Sequence, residues 1–335
     1  MKYVVTGGAG FIGINLINKL LKNKNNKVLN IDSLTYASNS HALKLFKKSQ
    51  YQLLKVNIIK KNIILRNINK FKPNIIFHLA AESHVDNSIV NPSTFIKTNV
   101  LGTYSMLECA KNYYDSLNAN NKKKFRFIHI STDEVYGSIF KKNQKFNENS
   151  IYKPNSPYSA SKASSDHFVR AWFKTFKLPI IITNCSNNYG PYQNNEKLIP
   201  TIILNAIANK EIGIYGNGKQ IRDWIHVSDH VNALIKISKK GLVGEKYNIG
   251  ANKTISNINL TIKICKILDK LISNKKISSH INLIKYIKDR PGHDLKYALN
   301  TNKINSKIKW YPKVDFEIGL LKTIKWYISE NKFKY

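Results

Sequence analysis

"VVTGGAGFIG", residues 4–13, is the stretch on which the fold turns. An apolar run, "YVVT" at 3–6, breaks into glycine at positions 7, 10 and 13, a GxxGxxG arrangement, and a helix-length segment follows over 11–23. Gly7 allows a tight turn, Gly10 lets the backbone approach a pyrophosphate, and Gly13 lets the helix close on the strand. The helix N-terminus then presents free N–H groups and the positive end of its dipole to an anion. Asp32 ends the next apolar run, "KVLNID" at 27–32, about 20 residues on, where dinucleotide sites carry an acid. A carboxylate there accepts from an adenosine ribose and repels a 2′-phosphate, so the expected cofactor is NAD rather than NADP.

Further apolar runs follow: "YQLLKV" at 51–56, "NIIFHLA" at 74–80, "FRFIHI" at 125–130 and "PIIITNCS" at 179–186. They are apolar throughout rather than alternating, as strands covered on both faces are. Helical stretches such as 99–118 separate them, which is the βαβ pattern. The expected fold is therefore α/β, a doubly wound Rossmann parallel sheet with a smaller C-terminal α/β substrate-binding part. Residues 1–190 form the expected NAD-binding domain and 191–335 mainly the substrate-binding part, with segments near 225–250 returning to the first domain. In the second part, helical patterns over 198–209 and 254–273 mix with turns such as "YGNGKQ" at 215–220, and "YNIGA" at 247–251 reads as a strand rejoining the main sheet.

Composition narrows the class. The 335 residues are 42% hydrophobic and 11% aromatic, which is globular rather than disordered. No run of about 18 apolar residues occurs, so no membrane span is expected, and the N-terminus lacks the apolar core of a signal peptide. Cys109, Cys185 and Cys265 lie far apart without CxxC spacing and read as buried thiols of a reducing, cytoplasmic compartment. No metal site is expected. Lys+Arg of 54 against Asp+Glu of 20 gives +34. The lysines are spread along the chain and no nucleic-acid motif accompanies them, so weak, salt-sensitive adhesion to polyanions is expected rather than specific nucleic-acid binding.

"NSPYSASKASSDH" at 155–167 opens a helix, with Ser156 as N-cap and Pro157 at the first helical position. Tyr158 and Lys162 are then one turn apart on one face. A cation near a phenol lowers its pKa from about 10 towards neutrality and makes a tyrosinate base available. Together with TGGAGFIG, Asp32, "HLAAESHVD" at 78–86 and Ser131-Thr132, this pair resembles the extended short-chain dehydrogenase/reductase family. The resemblance implies that Tyr158 takes the proton of a sugar hydroxyl, that Thr132 orients that hydroxyl and that Lys162 also binds the nicotinamide ribose.

"STDEVYG" at 131–137 adds two adjacent carboxylates, Asp133 and Glu134, which oxidation alone does not need. A ketone at carbon 4 of a sugar acidifies the hydrogen on carbon 5, and the hydroxyl on carbon 6 leaves only when protonated. Elimination of water thus wants one carboxylate and one neutral carboxylic acid, and neighbouring like charges push two pKa values apart. The TDE triplet resembles that of the 4,6-dehydratases of this family that act on dTDP-glucose. On that resemblance Asp133 is the acid at carbon 6, Glu134 the base at carbon 5, and the product dTDP-4-keto-6-deoxyglucose. UDP-sugar 4-epimerases share the fold without the acidic pair, and GDP-mannose 4,6-dehydratases typically carry serine in place of Asp133.

The resemblance also implies cofactor contacts by Gly7, Gly10, Phe11, Ile12 and Gly13, by Asp32, Ser33, Leu34 and Thr35, by Asn57 and Ile58, and by Ala80, Ala81, Thr98 and Asn188, besides Tyr158 and Lys162. Implied substrate contacts are Ser83, Thr132, Asn187, Lys197, Leu198, Tyr215, Arg222, Asn257, Arg290 and His293. Arg222 and Arg290 can grip a diphosphate bidentately, which lysine cannot imitate. Glu82 and Asp86 receive no role. A homodimer is implied, with helices near 99–118 and 157–175 in a shared bundle. Three departures stand out: Asn57 where relatives usually carry aspartate facing the adenine, a short loop over 138–155, and Ala251 in place of a usual glycine, harmless unless φ is positive there. Two other readings stay open, a UDP-glucose 4,6-dehydratase and a non-catalytic NAD- or polyanion-binding protein.

Overall fold

A computed structural model of the chain describes residues 1–141, 143–272 and 277–330. The last position of the expected 254–273 helix, residue 142 of the 138–155 loop and the chain end over 331–335 lie outside the described residues. Among the described residues twelve strands run in chain order: β1 Lys2–Thr6, β2 Lys27–Asp32, β3 Tyr51–Lys55, β4 Ile75–His78, β5 Arg126–Thr132, β6 Ile180–Cys185, β7 Asn187–Tyr189, β8 Ile212–Tyr215, β9 Ile221–His226, β10 Lys246–Ile249, β11 Thr254–Ser256 and β12 Ile284–Ile287. Seven of them form one sheet in the order β10-β6-β5-β4-β1-β2-β3, and every neighbouring pair is parallel. The direction of winding reverses between β1 and β4, which opens a crevice at the C-terminal strand ends.

Continuous apolar strands demand cover on both faces, and helices supply it. On one face Leu16 and Ile17 of the helix Phe11–Leu21 and Val231 and Leu234 of the helix Val227–Lys240 pack against Val5 and Ile128. On the other, Ile64, Met106 and Val169 of the helices Lys61–Phe71, Gly102–Asp115 and Pro157–Phe176 pack against Val4 and Ile76. β3 departs from the both-faces expectation: Gln52 and Leu53 are exposed because the strand sits at the sheet edge.

A separate core under the C-terminal part gathers Ile199, Ile203, Trp224, Leu260, Ile264 and Leu320. It is bordered by a mixed sheet, β11-β9-β7, and a parallel pair, β12-β8. The periodicity over 254–273 hides a boundary: Thr254–Ser256 pairs with β9, and the helix begins at Asn257, capped by Ser256. The 99–118 segment likewise divides, with a π-helical turn Ile96–Leu101 before the helix that ends at Asp115. Ala251 is not among the positive-φ residues, whereas its neighbour Asn252 is (φ 55°), so the missing glycine costs nothing there. All three cysteines are buried thiols. No helix among the described residues is long and apolar enough to cross a membrane.

The helix that carries Tyr158 starts from a reciprocal cap. Ser156 Oγ accepts from the Ser159 N–H at 3.1 Å while Ser159 Oγ accepts from the Ser156 N–H at 3.0 Å, and Pro157 fixes the first turn. Ser156→Ala is expected to cost about 1 kcal/mol of stability, read as a lower urea midpoint at unchanged slope.

Candidate active site

At Gly7 the backbone adopts φ +68°, and a Cβ would lie 2.8 Å from the Ala80 backbone; at Gly13 a Cβ would lie 2.3 Å from the Gly7 carbonyl oxygen. Both positions exclude a side chain, so the loop folds back onto β4 and the helix seats on the loop. A Cβ at Gly10 would meet only the Gly7 oxygen, at 3.3 Å, because that face opens into a cleft. Gly10 caps the helix without a side-chain hydrogen bond, which leaves its first N–H groups to an anion. Asp32 accepts from the Ala9 and Leu34 N–H groups, each at 2.8 Å. A carboxylate has about four acceptor sites, so capacity remains for ribose hydroxyls. These residues fit a dinucleotide.

The cleft has a volume of about 850 Å³ and runs from this loop along the C-terminal ends of β1, β2, β4, β5 and β6 to the C-terminal part. It brings together residues scattered across the chain: all the positions named above for cofactor, substrate and chemistry line it, except Leu34. Leu34 turns away, at φ 55°, packing beside Ala9, Ala42 and Leu43 while its N–H holds Asp32. Two other positions offer less than the sequence suggests. The Asn188 amide is partnered inside the protein at both ends, by His230 and by the Ser186 carbonyl. The Asn57 oxygen accepts from the Ile59 N–H at 3.0 Å, so its amide faces a ligand chiefly as a donor.

β5 delivers the chemistry. Its last residue, Thr132, caps a single 3₁₀ turn, Asp133–Tyr136, that begins with both acids. Asp133 is 1% exposed, and Glu134 is half-buried. Burial pushes the Asp133 carboxyl well up, and the charges of Glu134 and Asp223 add to the effect against Arg222. Burial raises Glu134 too, but Arg290, Arg222 and Lys197 all pull it back. Both carboxyls therefore stand above their ordinary values, Asp133 well above and Glu134 held back by the cations. For Tyr158 the structure corrects the sequence expectation of a lowered pKa. Burial, then Glu134 and Cys185, push the phenol up, and a hydrogen bond with Thr132 only partly offsets this.

Substrate-side groups come from other segments of the chain. Arg222 donates to the carbonyls of Ile221 and Asp294 at 2.9 Å each and lies 4.2 Å from the Tyr297 ring. Lys197 donates to the Ser83 carbonyl at 2.6 Å, and His293 Nδ1 lies 2.6 Å from Asp289. Asp86, given no role from sequence, ties Arg290 (3.2 Å) and Tyr215 (2.9 Å) to the helix Val85–Val90 that follows β4. Tyr297 was missed as well, since nothing local marks a lone tyrosine beyond "DRPGHD". Among the described residues, seven buried polar atoms on cleft-lining side chains lack a protein partner: Asp133 Oδ2, Ser186 Oγ, Asn187 Oδ1, Gln193 Oε1, Trp224 Nε1, Asn257 Oδ1 and Arg290 Nε. Buried polar groups are normally paired, so these atoms mark where a polar ligand is received.

Comparison with known proteins agrees with this arrangement. The family model described as GDP-mannose 4,6 dehydratase matches residues 4–323. The dTDP-glucose 4,6-dehydratase of Haemophilus influenzae is 49% identical, with 98% of each chain covered. An Escherichia coli enzyme of the same name is 48% identical over 99% of this chain and 95% of its own length. The chain belongs to the dTDP-glucose 4,6-dehydratase family. Among solved structures, DesIV, the dTDP-glucose 4,6-dehydratase of Streptomyces venezuelae with NAD and TYD bound, superposes with a TM-score of 0.89 at 37% identity. That match covers 99% of this chain and 98% of DesIV. Membership fits the acidic pair that follows β5, which distinguishes this site from a simple dehydrogenase site.

Asp133 carries a linked effect on stability. Its pKa is raised in the folded state, so its favourable contribution is complete below the ordinary carboxylate pKa and is lost as pH rises towards the folded value. Asp133→Asn is therefore expected to melt higher than the parent protein, by a margin that widens from about pH 5 to about pH 8. Melting curves at the two pH values check this.

Proposed function

We propose that this chain converts dTDP-glucose to dTDP-4-keto-6-deoxyglucose, with NAD retained through each turnover. The observation that carries the reading is the electrostatic division of Asp133 and Glu134 at the end of β5, inside the dinucleotide cleft. NAD, when bound, supplies a hydride acceptor for carbon 4, a hydride donor for carbon 6, and one positive charge. The loop Gly7–Gly13 and Asp32 hold its phosphates and ribose. Tyr158 acts from its phenolate form, which Lys162 and the positive charge of bound NAD would stabilise against burial. It accepts the proton of the carbon 4 hydroxyl, which Thr132 orients, and becomes a phenol. Glu134, surrounded by Arg222, Arg290 and Lys197, then removes the carbon 5 proton. Asp133, kept protonated by burial, donates to the departing carbon 6 hydroxyl. Arg222 and Arg290 bind the diphosphate, with Lys197, Asn187 and Asn257 beside them.

Residues 1–190 act as the cofactor-binding domain and 191–335 chiefly as the sugar-nucleotide part in this reading. The active form is a homodimer. The helices Gly102–Asp115 and Pro157–Phe176 expose Tyr104, Phe168 and Phe176 together with the π-turn residues Ile96 and Leu101, an apolar surface that a second copy covers. Sedimentation is expected to give twice the monomer mass; a monomer at micromolar concentration would refute this arrangement.

The test of function mixes the NAD-loaded protein with dTDP-glucose and follows loss of water by mass spectrometry. Turnover confined to UDP-glucose, or NAD binding without turnover of either sugar, would end the assignment. Glu134→Gln is expected to oxidise carbon 4 and accumulate reduced nicotinamide absorbance while dehydration falls at least a hundredfold, of the order for loss of a general base. Tyr158→Phe is expected to suppress that absorbance itself.

A further inference from the structure

Tyr158, Lys162 and Asp166 stand one turn apart in succession on the helix Pro157–Phe176, and all three are buried. The first two line the cleft; Asp166 sits behind them, 2% exposed. Its Oδ2 accepts from Ser131 Oγ at 2.9 Å, Tyr152 OH at 2.7 Å and Asn184 Nδ2 at 3.3 Å, and its Oδ1 lies 3.1 Å from His129 Nε2. Burial pushes this carboxyl up, but His129, Lys162 and Tyr152 outweigh it and hold it below the ordinary range. A carboxylate gathered by donors from β5, β6 and the 138–155 loop is a fixed negative charge.

The charge has one recipient facing the cleft. Lys162 is 4% exposed, and its Nζ donates to the Ile130 carbonyl at 2.9 Å. Burial pushes the ammonium towards neutrality, and Asp166 is the foremost group opposing this, with Cys185 behind it. The other titratable groups around the pair do not take over its role. His129 is pushed down to about 4 by burial and Lys162, and His78, between the Thr6 and Thr103 hydroxyls, is lowered well below its usual value, so both imidazoles are neutral near pH 7. The Cys185 thiol is pushed up to about 12, and Tyr136 and Tyr152 are raised as well, so all three keep their protons. Lys246 lies over the Tyr152 ring at 4.5 Å and does not line the cleft.

We propose that Asp166 is a positioning residue for the oxidation step: its charge, held by Ser131, Tyr152 and Asn184, keeps Lys162 an ammonium, and that ammonium keeps Tyr158 able to accept a proton. This rests on the roles given above to Tyr158 and Lys162. Without the carboxylate, Lys162 loses its proton at lower pH, and oxidation fails earlier on the alkaline side.

The experiment measures the single-turnover rise of reduced nicotinamide absorbance when NAD-loaded protein meets dTDP-glucose, across pH, for the parent, Asp166→Asn, Asp166→Glu and Tyr152→Phe. Asp166→Asn is isosteric, and the Ser131 and Tyr152 hydroxyls can turn to accept from its amide. Its rate relative to the parent is expected to fall at least about fivefold between about pH 6 and about pH 9. In Asp166→Glu, which keeps the charge, and in Tyr152→Phe, which removes one hydrogen bond but no charge on Asp166, that ratio is expected to stay flat. A flat ratio in Asp166→Asn overturns the proposal, as does an equal slope in Asp166→Glu or Tyr152→Phe, which would assign the effect to packing. An Asp166→Asn protein with no cooperative melt assigns the network to stability and overturns it equally. If the parent gives no absorbance rise at any pH, the roles of Tyr158 and Lys162 fall first and this proposal falls with them.

Discussion

Two carboxyl groups on consecutive residues, one of them almost wholly removed from water, set the constraint that the rest of the cleft answers. Desolvation and mutual repulsion both oppose ionisation of the pair. The fold resolves this unevenly. Burial, with the charges of Glu134 and Asp223, makes holding a proton the cheaper state for Asp133, while the charges of Arg290, Arg222 and Lys197 offset part of the rise at Glu134. The division depends on where the two side chains leave a single 3₁₀ turn and not on any difference in their intrinsic acidity.

Those cations come from beyond residue 190, whereas the acids come from the strand ends of the parallel sheet. The site is complete only where the two halves meet, and specific contacts hold them there. Asp86, after β4, engages both Arg290 and Tyr215; burial pushes its carboxyl up, but the Tyr215 hydrogen bond and Arg290 outweigh this and keep it an anion. Lys197 reaches the Ser83 carbonyl from the same side. Arg222 is anchored by backbone carbonyls and the Tyr297 ring, so its position does not rely on a bound anion. The net charge of +34 therefore contains two kinds of cation: a few buried, oriented ones in the cleft, and a large solvated remainder.

Much of this was legible beforehand. Largely apolar runs without strict alternation imply parallel strands with two covered faces, and six of the seven sheet strands fall within a residue or two of those runs. The glycine triplet with Asp32 pointed to the dinucleotide crevice, and the i, i+4 relation of Tyr158 and Lys162 needed only helix geometry. The misses have physical causes. β3 lost one covering layer because it is an edge strand. The 254–273 pattern concealed a strand because three residues carry too little periodicity to register. Leu34 sits in the right loop but turns its side chain away, because its backbone N–H is needed by Asp32.

The sequence by itself determined the element order, the cofactor loop and the set of residue types available for oxidation and elimination, since those follow from local pattern and spacing. Only the tertiary structure decided which acid holds its proton and which way the Tyr158 pKa moves. It also decided that Asp86, Asp166 and Tyr297 belong around the site. Burial and through-space charge act between groups far apart in the chain, and no local spacing encodes them.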